Sequence, residues 1–276
     1  MSVYSDLVEK NWASVFIDDI KAGSCQPQAD GTYKTKKVTV VESAWAFTNM
    51  PESKTAGEVC HRIHQYMFPK LGIIPILCHN CYKVVVKPKT VTQLFELHKL
   101  QKKLNLPSKC GIELRNYVPN LYGGYFYNKG IEEGRKCYEL VRKRVSERIS
   151  PDIEVLLKRG CTEFEMKFGP SDKWSIGIDQ KKLEDEFNKR YTEENDTTQI
   201  QTDDAINNIK LSWIIHAANK HDKTYKELTG GELLVPECEY VTYHDDNKKV
   251  AESIIQTNES IKTIEELNEI HRDSGS

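Results

Sequence analysis

An α+β fold is predicted by three observations. The hydrophobic period switches from 2 to 3.6 and back, in the order β-α-β-β-α-β, between Tyr82 and Lys158; a β-rich run with an Asp-Gly turn precedes that stretch; a charged, helix-bearing stretch follows it. The chain accordingly divides into a β-rich N-terminal module with a helix (residues 1–70), a central ferredoxin-like βαββαβ unit (71–170), and a mixed C-terminal region (171–276) that opens with a charged linker and ends in an amphipathic helix.

In the first module, Trp12 to Phe47 reads as strands broken by the turn Ala29-Asp30-Gly31, a hairpin signal, and Val59, Ile63, Tyr66 and Met67 predict a helix over Ala56 to Phe68. In the central unit Tyr82 to Lys87 reads as a buried strand. Thr90 to Asn105 follows as a helix opened by the capping box Thr90-Val-Thr-Gln93. Gly111 to Tyr117 and Tyr122 to Tyr127 read as two strands joined at Pro119-Asn120, Gly130 to Ile149 as a second helix and Ile153 to Lys158 as the fourth strand, with the expected order 4-1-3-2. Beyond Gly169-Pro170 the stretch 179–208 is dense in charge, and Thr192 to Thr202 is the linker candidate because it has too little apolar area to offset its ordering entropy. A helix bearing Ile206, Ile209, Trp213, Ile214 and Ala217, a strand-like run from Glu232 to Tyr243, and an amphipathic helix over Val250 to His271 complete the reading.

With 39 Lys+Arg against 41 Asp+Glu in 276 residues, the net charge of −2 excludes a basic nucleic-acid arm or a polyanionic tail as the main feature. The longest apolar run, Leu71 to Leu77, contains Gly and Pro and is far shorter than the roughly 20 residues a membrane helix needs. Eight cysteines are too sparse for a disulfide framework, and the N-terminus lacks a basic region followed by an apolar one, so the expectation is a cytoplasmic chain with free or metal-bound thiols.

The sharpest local signal is Cys78-His79-Asn80-Cys81 just before the first strand of the central unit. In the 4-1-3-2 order, Cys161 after strand four lies beside that CxxC, and Cys110 at the start of strand two lies on the same sheet edge, about 10 Å away. Cys78, Cys81, Cys110 and Cys161 are therefore the candidate metal ligands. Four thiolates would make a closed, structural zinc site, the same set would also suit an iron-sulfur cluster, and the plain alternative is four buried cysteines. Cys137 is a substitute for Cys110, and Cys60 with His64, at i and i+4, is a second candidate pair.

Two further constellations carry chemistry. Glu113, Arg115, Glu163 and Glu165 are the candidate acid/base or metal-carboxylate set, with surface ion pairing as the plain reading. Tyr117, Tyr122, Tyr125 and Tyr127 on the hairpin of strands two and three are candidate partner-binding residues. Such aromatics stack bases in RRM-type sheets, but the Lys/Arg-Gly-aromatic run of that family is absent and the net charge is acidic, which favours a protein partner over nucleic acid. Gly123-Gly124 lacks the setting of a nucleotide loop and reads as a bulge or a tight strand contact.

The runs Lys158-Arg-Gly-Cys-Thr-Glu-Phe-Glu165 and Gly169-Pro-Ser-Asp-Lys-Trp174 resemble those of phage-encoded accessory proteins, among which inhibitors of bacterial defence nucleases of the Gabija type occur; the resemblance covers about fifteen residues and transfers no site. The functional expectation is a non-enzymatic protein that binds or inhibits another macromolecule, an anti-defence protein in what the resemblance implies, assembled as a homo-oligomer through its terminal helix. Two alternatives stay open. One is a metal-dependent enzyme or nucleic-acid-processing protein using the carboxylates; the other is a redox sensor using Cys78 and Cys81.

Overall fold

The computed structural model describes residues 12–35, 44–49, 60, 63–193 and 201–233. Its contacts divide the chain into a unit spanning Met1–Gly231 and another spanning Glu232–Ser276, and the architecture below is that of the first. The strand run expected within Glu232 to Tyr243, beyond its first two residues, and the helix expected over Val250 to His271 lie outside the described residues.

The α+β class and the central unit are as the periodicity predicts. Strands β4 (Cys81–Lys87), β5 (Ser108–Ile112), β6 (Tyr122–Lys129) and β7 (Glu154–Arg159) pair antiparallel in the order β5-β6-β4-β7, and β3 (Trp45–Thr48) extends the sheet along the outer edge of β5. Helix α4 (Val91–Leu104) starts where the capping box places it: Thr90 Oγ1 accepts from Gln93 N–H at 3.2 Å, while the Gln93 side chain reaches one residue further back, to Lys89 N–H at 2.8 Å. Helix α5 (Ile131–Arg148) links β6 to β7.

Period-two alternation gives the sheet two unlike faces. Val84, Val86, Cys110, Ile112, Tyr122, Phe126 and Val155 point to one face. Leu94, Leu97 and Leu100 of α4, Val141 and Val145 of α5, and Ile206, Ile209 and Trp213 of α8 (Asp203–Asn219) cover that face as a single core. Helix α4 approaches most closely at Gly124, where an added Cβ would lie 2.4 Å from Leu97 Cδ2, so the double glycine is a tight contact. The opposite face presents Lys83, Lys109, Tyr125, Tyr127 and Lys158.

A second core is assembled from distant parts of the chain. It joins Val15 and Phe16 of α1 (Ala13–Lys21), the hairpin β1 (Cys25–Pro27) and β2 (Tyr33–Thr35), a π-helical turn (Ile63–Met67) running into the short helix α2 (Phe68–Leu71), Cys78 of α3 (Ile76–His79), Phe164 of α6 (Thr162–Phe168), and Leu183 and Phe187 of α7 (Gln180–Arg190). Strand β8 (Tyr191–Glu193) pairs parallel with β2, so residues from the C-terminal region complete the N-terminal hairpin's sheet.

Four local expectations are corrected. Ala13–Lys21 is a helix, since Val15, Phe16 and Ile20 form a stripe against the second core that outweighs their β-branched content. Strand β5 ends at Ile112 rather than continuing to Tyr117. The charged stretch opens with helix α7, whose Leu183 and Phe187 are buried at 1% and 0% exposure, so two anchors suffice to order it. Within the linker candidate, Thr192 and Glu193 belong to β8, and residues 194–200 lie outside the described residues.

Candidate active site

Where the open face of the sheet meets the second core, a cavity of about 250 Å³ is lined by side chains from both. Lys83, Lys109, Tyr125, Tyr127 and Lys158 come from the sheet, Cys161 from the start of α6, and Cys60 and His64 from the segment before α2. The registers make rows of these residues. Tyr127, Lys83 and Lys158 lie directly opposite one another on β6, β4 and β7, and Phe47, Lys109 and Tyr125 form the next row on β3, β5 and β6. Two lysines facing each other across a strand pair repel. Each is therefore supplied with its own acceptor: Lys83 Nζ donates to Cys161 Sγ at 2.9 Å, and Lys158 pairs with Glu165.

Cys161 owes its position to two neighbours. Gly160, at φ +61°, turns the chain from β7 into α6, and a Cβ there would meet the Trp174 ring at 2.7 Å, so the turn tolerates only glycine. Phe164, fully buried in the second core, fixes the helix that follows. His64, which lines the cavity with Cys161, stacks on that same Phe164 ring at 5.4 Å with 6° between the planes.

The electrostatic consequence separates Cys161 from the other described cysteines. Burial raises the thiol pKa of Cys25, Cys60, Cys78, Cys81, Cys110 and Cys137, with Cys60 and Cys137 reaching about 11. At Cys161 burial pushes the same way, but the Lys83 ammonium and the hydrogen bonds from His64 and Lys83 outweigh it and bring the thiol down to about 7. Burial would depress Lys83 itself; Cys161, Tyr127 and Cys81 hold it above the usual lysine range, as expected of an ammonium facing a thiolate. Among the described residues no anion is in contact with the Lys109 ammonium. It lies 4.4 Å from the Trp45 ring centroid and 5.7 Å from that of Tyr125, and burial with the nearby Lys83 and Arg115 draws it down to about 8.

The four-cysteine metal set is not brought together. Cys81 pairs across the sheet with Lys129, whereas Cys110 pairs with Gly124 and through it lies level with Val86, five residues further along β4, or about 17 Å. Cys110 also faces the helix-covered core, opposite to Lys83 and Cys161. Cys161 does lie beside the CxxC, with Gly160 N–H donating to Cys81 C=O at 2.8 Å, but β5 begins at Ser108, so Cys110 is inside the strand and points to the core. Cys137 is in the same helix-covered core, and Cys78 is buried in the second one. Among the described residues no group of three or more His, Cys, Asp or Glu side chains is arranged to hold a metal. Cys60 and His64, proposed from their spacing as a pair on one helix face, do line one cavity.

The carboxylate set does meet, but as a closed ion-pair cluster. Arg115 donates from Nε to Glu113 Oε1 at 2.7 Å and from Nη1 to Glu163 Oε1 at 3.0 Å, and Tyr117 and Tyr125 hydroxyls donate to Glu163 and Glu113. Although burial pushes Glu163 up, the Tyr117 hydrogen bond, a backbone N–H and Arg115 hold it down at about 2, and Glu113 is likewise depressed by Arg115. Both stay ionised at neutral pH and are poor proton donors or acceptors there. Glu165 is taken up by Lys158.

The tyrosines do not form an exposed face. Tyr122 is 1% exposed in the main core, where its hydroxyl donates to Asp222 at 2.7 Å; Tyr125 and Tyr127 line the cavity; Tyr117, 40% exposed, is the member left at the surface. Sequence reasoning missed Lys83, Lys109 and Lys158. The signal was present in Tyr82-Lys-Val-Val-Val-Lys87, where a lysine interrupts an otherwise buried strand on the face opposite Val84 and Val86.

No family model, curated protein or solved structure matches the chain. Among the described residues no helix is long and apolar enough to cross a membrane.

Proposed function

We propose that the protein is an enzyme that uses the Cys161 thiolate as a nucleophile in the cavity between sheet and second core. The observation that carries this reading is the Lys83 ammonium 2.9 Å from Cys161 Sγ, in a cavity that His64 also lines and that is large enough for a small substituent of a substrate. In the reaction the sulfur forms a bond to an electrophilic centre, the leaving group departs with the bonding electron pair, and one of the two donors on the sulfur, His64 or Lys83, supplies its proton. Water then attacks the transferred group and takes it as the hydroxyl product, its proton returns to that donor, and the bonding pair goes back to sulfur as the thiolate.

A second groove of about 380 Å³ adjoins the cavity through Arg115, Tyr125, Lys158 and Thr162, leaving room for the rest of a substrate. The ionised, paired Glu113 and Glu163 support a structural role for the carboxylates. The inward-turned tyrosines remove one of the two contact surfaces expected of an interaction protein; the other, the terminal helix, lies outside the described residues. Seven free thiols among the described residues support a reducing, cytoplasmic setting.

The test is alkylation with iodoacetamide at pH 7 followed by peptide mapping, alongside p-nitrophenyl acetate and p-nitrophenyl phosphate as trial substrates. The expected result is Cys161 labelled at least about tenfold faster than any other cysteine, as its lower pKa implies, and one equivalent of p-nitrophenolate released with a matching adduct that disappears in Cys161→Ala. Labelling of Cys161 no faster than of Cys60 or Cys81, with no adduct from either ester, would overturn the proposal.

A further inference from the structure

Among the described residues Lys109 is the cation in this cavity with no anion in hydrogen-bond or ion-pair contact; Glu113 and Cys60 favour its charge without touching it. Lys83 faces a thiolate, Lys158 faces Glu165, and Arg115 is clamped by Glu113 and Glu163. Among the described residues Lys109 makes neither a hydrogen bond nor an ion pair to a carboxylate. Instead Trp45, Tyr125 and Phe47 surround its ammonium at 4.4, 5.7 and 6.0 Å from their ring centroids. Aromatic faces attract a cation but do not neutralise it, and they fix its position. The stem is equally constrained. Lys109 sits in a central row between Phe47 and Tyr125, so the ammonium cannot swing to bulk water without leaving its aromatic box. A half-buried, fixed cation facing a nucleophile's cavity is an unfilled anion position, because a ligand charge placed there recovers Coulomb energy without any reorganisation of the protein.

We infer that Lys109 is a specificity-determining residue that selects substrates carrying an anionic group, a carboxylate or a phosphoryl oxygen, next to the electrophilic centre attacked by Cys161. The inference deepens the thiolate reading and rests on it. The other charges at the cavity agree with an anionic ligand: Lys83 and Lys158 stand in the adjoining row, and the nearest carboxylates are already committed to Arg115 and Lys158.

Iodoacetate and iodoacetamide differ in charge but share one alkylation chemistry, so their relative rates at Cys161 read anion selection directly. The expected result on the intact protein is an iodoacetate-to-iodoacetamide rate ratio about tenfold above that of free cysteine in the same buffer, as one nearby charge in a partly desolvated site would give, falling as salt is raised. Lys109→Met should lower that ratio towards the free-cysteine value, while Lys109→Arg should keep most of it. Protection of Cys161 by inorganic phosphate but not acetate would assign a phosphoryl ligand, and the reverse a carboxylate. A ratio equal to that of free cysteine, or one that Lys109→Met leaves in place, would overturn the inference. Slow alkylation of Cys161 by both reagents would instead overturn the thiolate reading beneath it. If Lys109→Met fails to fold, the same ratio in Lys109→Gln, which keeps a polar stem and removes the charge, decides the matter.

Discussion

Six of the described cysteines have thiols pushed up by burial and one, Cys161, is brought down to about 7, although it too is half-buried. What distinguishes it is a pair of donors: an ammonium from the middle of β4 and an imidazole held flat on Phe164. Below about pH 7 the sulfur is protonated and unreactive; above it the thiolate predominates. The alkylation rate of Cys161, followed by mass spectrometry, should therefore rise with a midpoint near 7. In Lys83→Met the midpoint should move up by about 1–2 pH units, the usual effect of losing an adjacent opposite charge. Glu163 supplies a second test at this scale. Its carboxyl is depressed from 4.5 to about 2, so its contribution to stability is complete above pH 4.5 and is lost as pH falls through 2. Urea unfolding should show Glu163→Gln less stable than wild type at pH 7 by roughly 1–2 kcal/mol, reduced from the full shift by partial solvent exposure, with the gap closing towards pH 2.

At the level of elements, the turn and the helix-sheet contact each rest on one glycine. Gly160→Ala places a Cβ at positive φ against Trp174 and should cost about 2 kcal/mol or more in thermal or urea unfolding. Because this turn also aims Cys161, its alkylation should slow in the same variant. Gly124→Ala drives a Cβ into Leu97 and should cost about 1–3 kcal/mol as overpacking. Adding Leu97→Val should recover part of that loss, a coupling that a double-mutant cycle measures. Helix α4 was readable from sequence down to its first residue, since capping and the i, i+3, i+7 spacing are local properties. Helix α1 was not. Its Val, Ile and Phe residues are β-branched or aromatic, and only the second core, which reaches from Val15 and Phe16 to Phe187 and Tyr191, gives the helical stripe something to pack against.

Across the whole molecule, two cores hold the two walls of the cavity. The main core fixes the sheet and its lysines, and the second core fixes His64, Phe164 and, through them, the sulfur. Phe187→Ala, which empties a fully buried site in the second core against Phe16, Tyr66 and Tyr191, should cost about 3–5 kcal/mol where that core unfolds with the rest. The enhanced Cys161 reactivity should be lost at lower urea than the far-ultraviolet circular dichroism of the sheet, because the nucleophile depends on both cores and the sheet mainly on one.

The sequence by itself determined the α+β class, the βαββαβ order, the capping box at Thr90 and the hairpin turn, since all of these are set by periodicities and turn residues within a few positions of one another. It also singled out Cys161, as a metal ligand, and Glu113, Arg115 and Glu163, with ion pairing as one of two readings. Tertiary structure alone decided those roles. The slide of β5 relative to β4 carries Cys110 away from Cys81, and the facing of each strand residue sends Cys110 to the core and Lys83 to the cavity. Strand register and the meeting of two cores are long-range properties that no local pattern encodes. They put the sulfur of a suspected metal ligand beside a lysine.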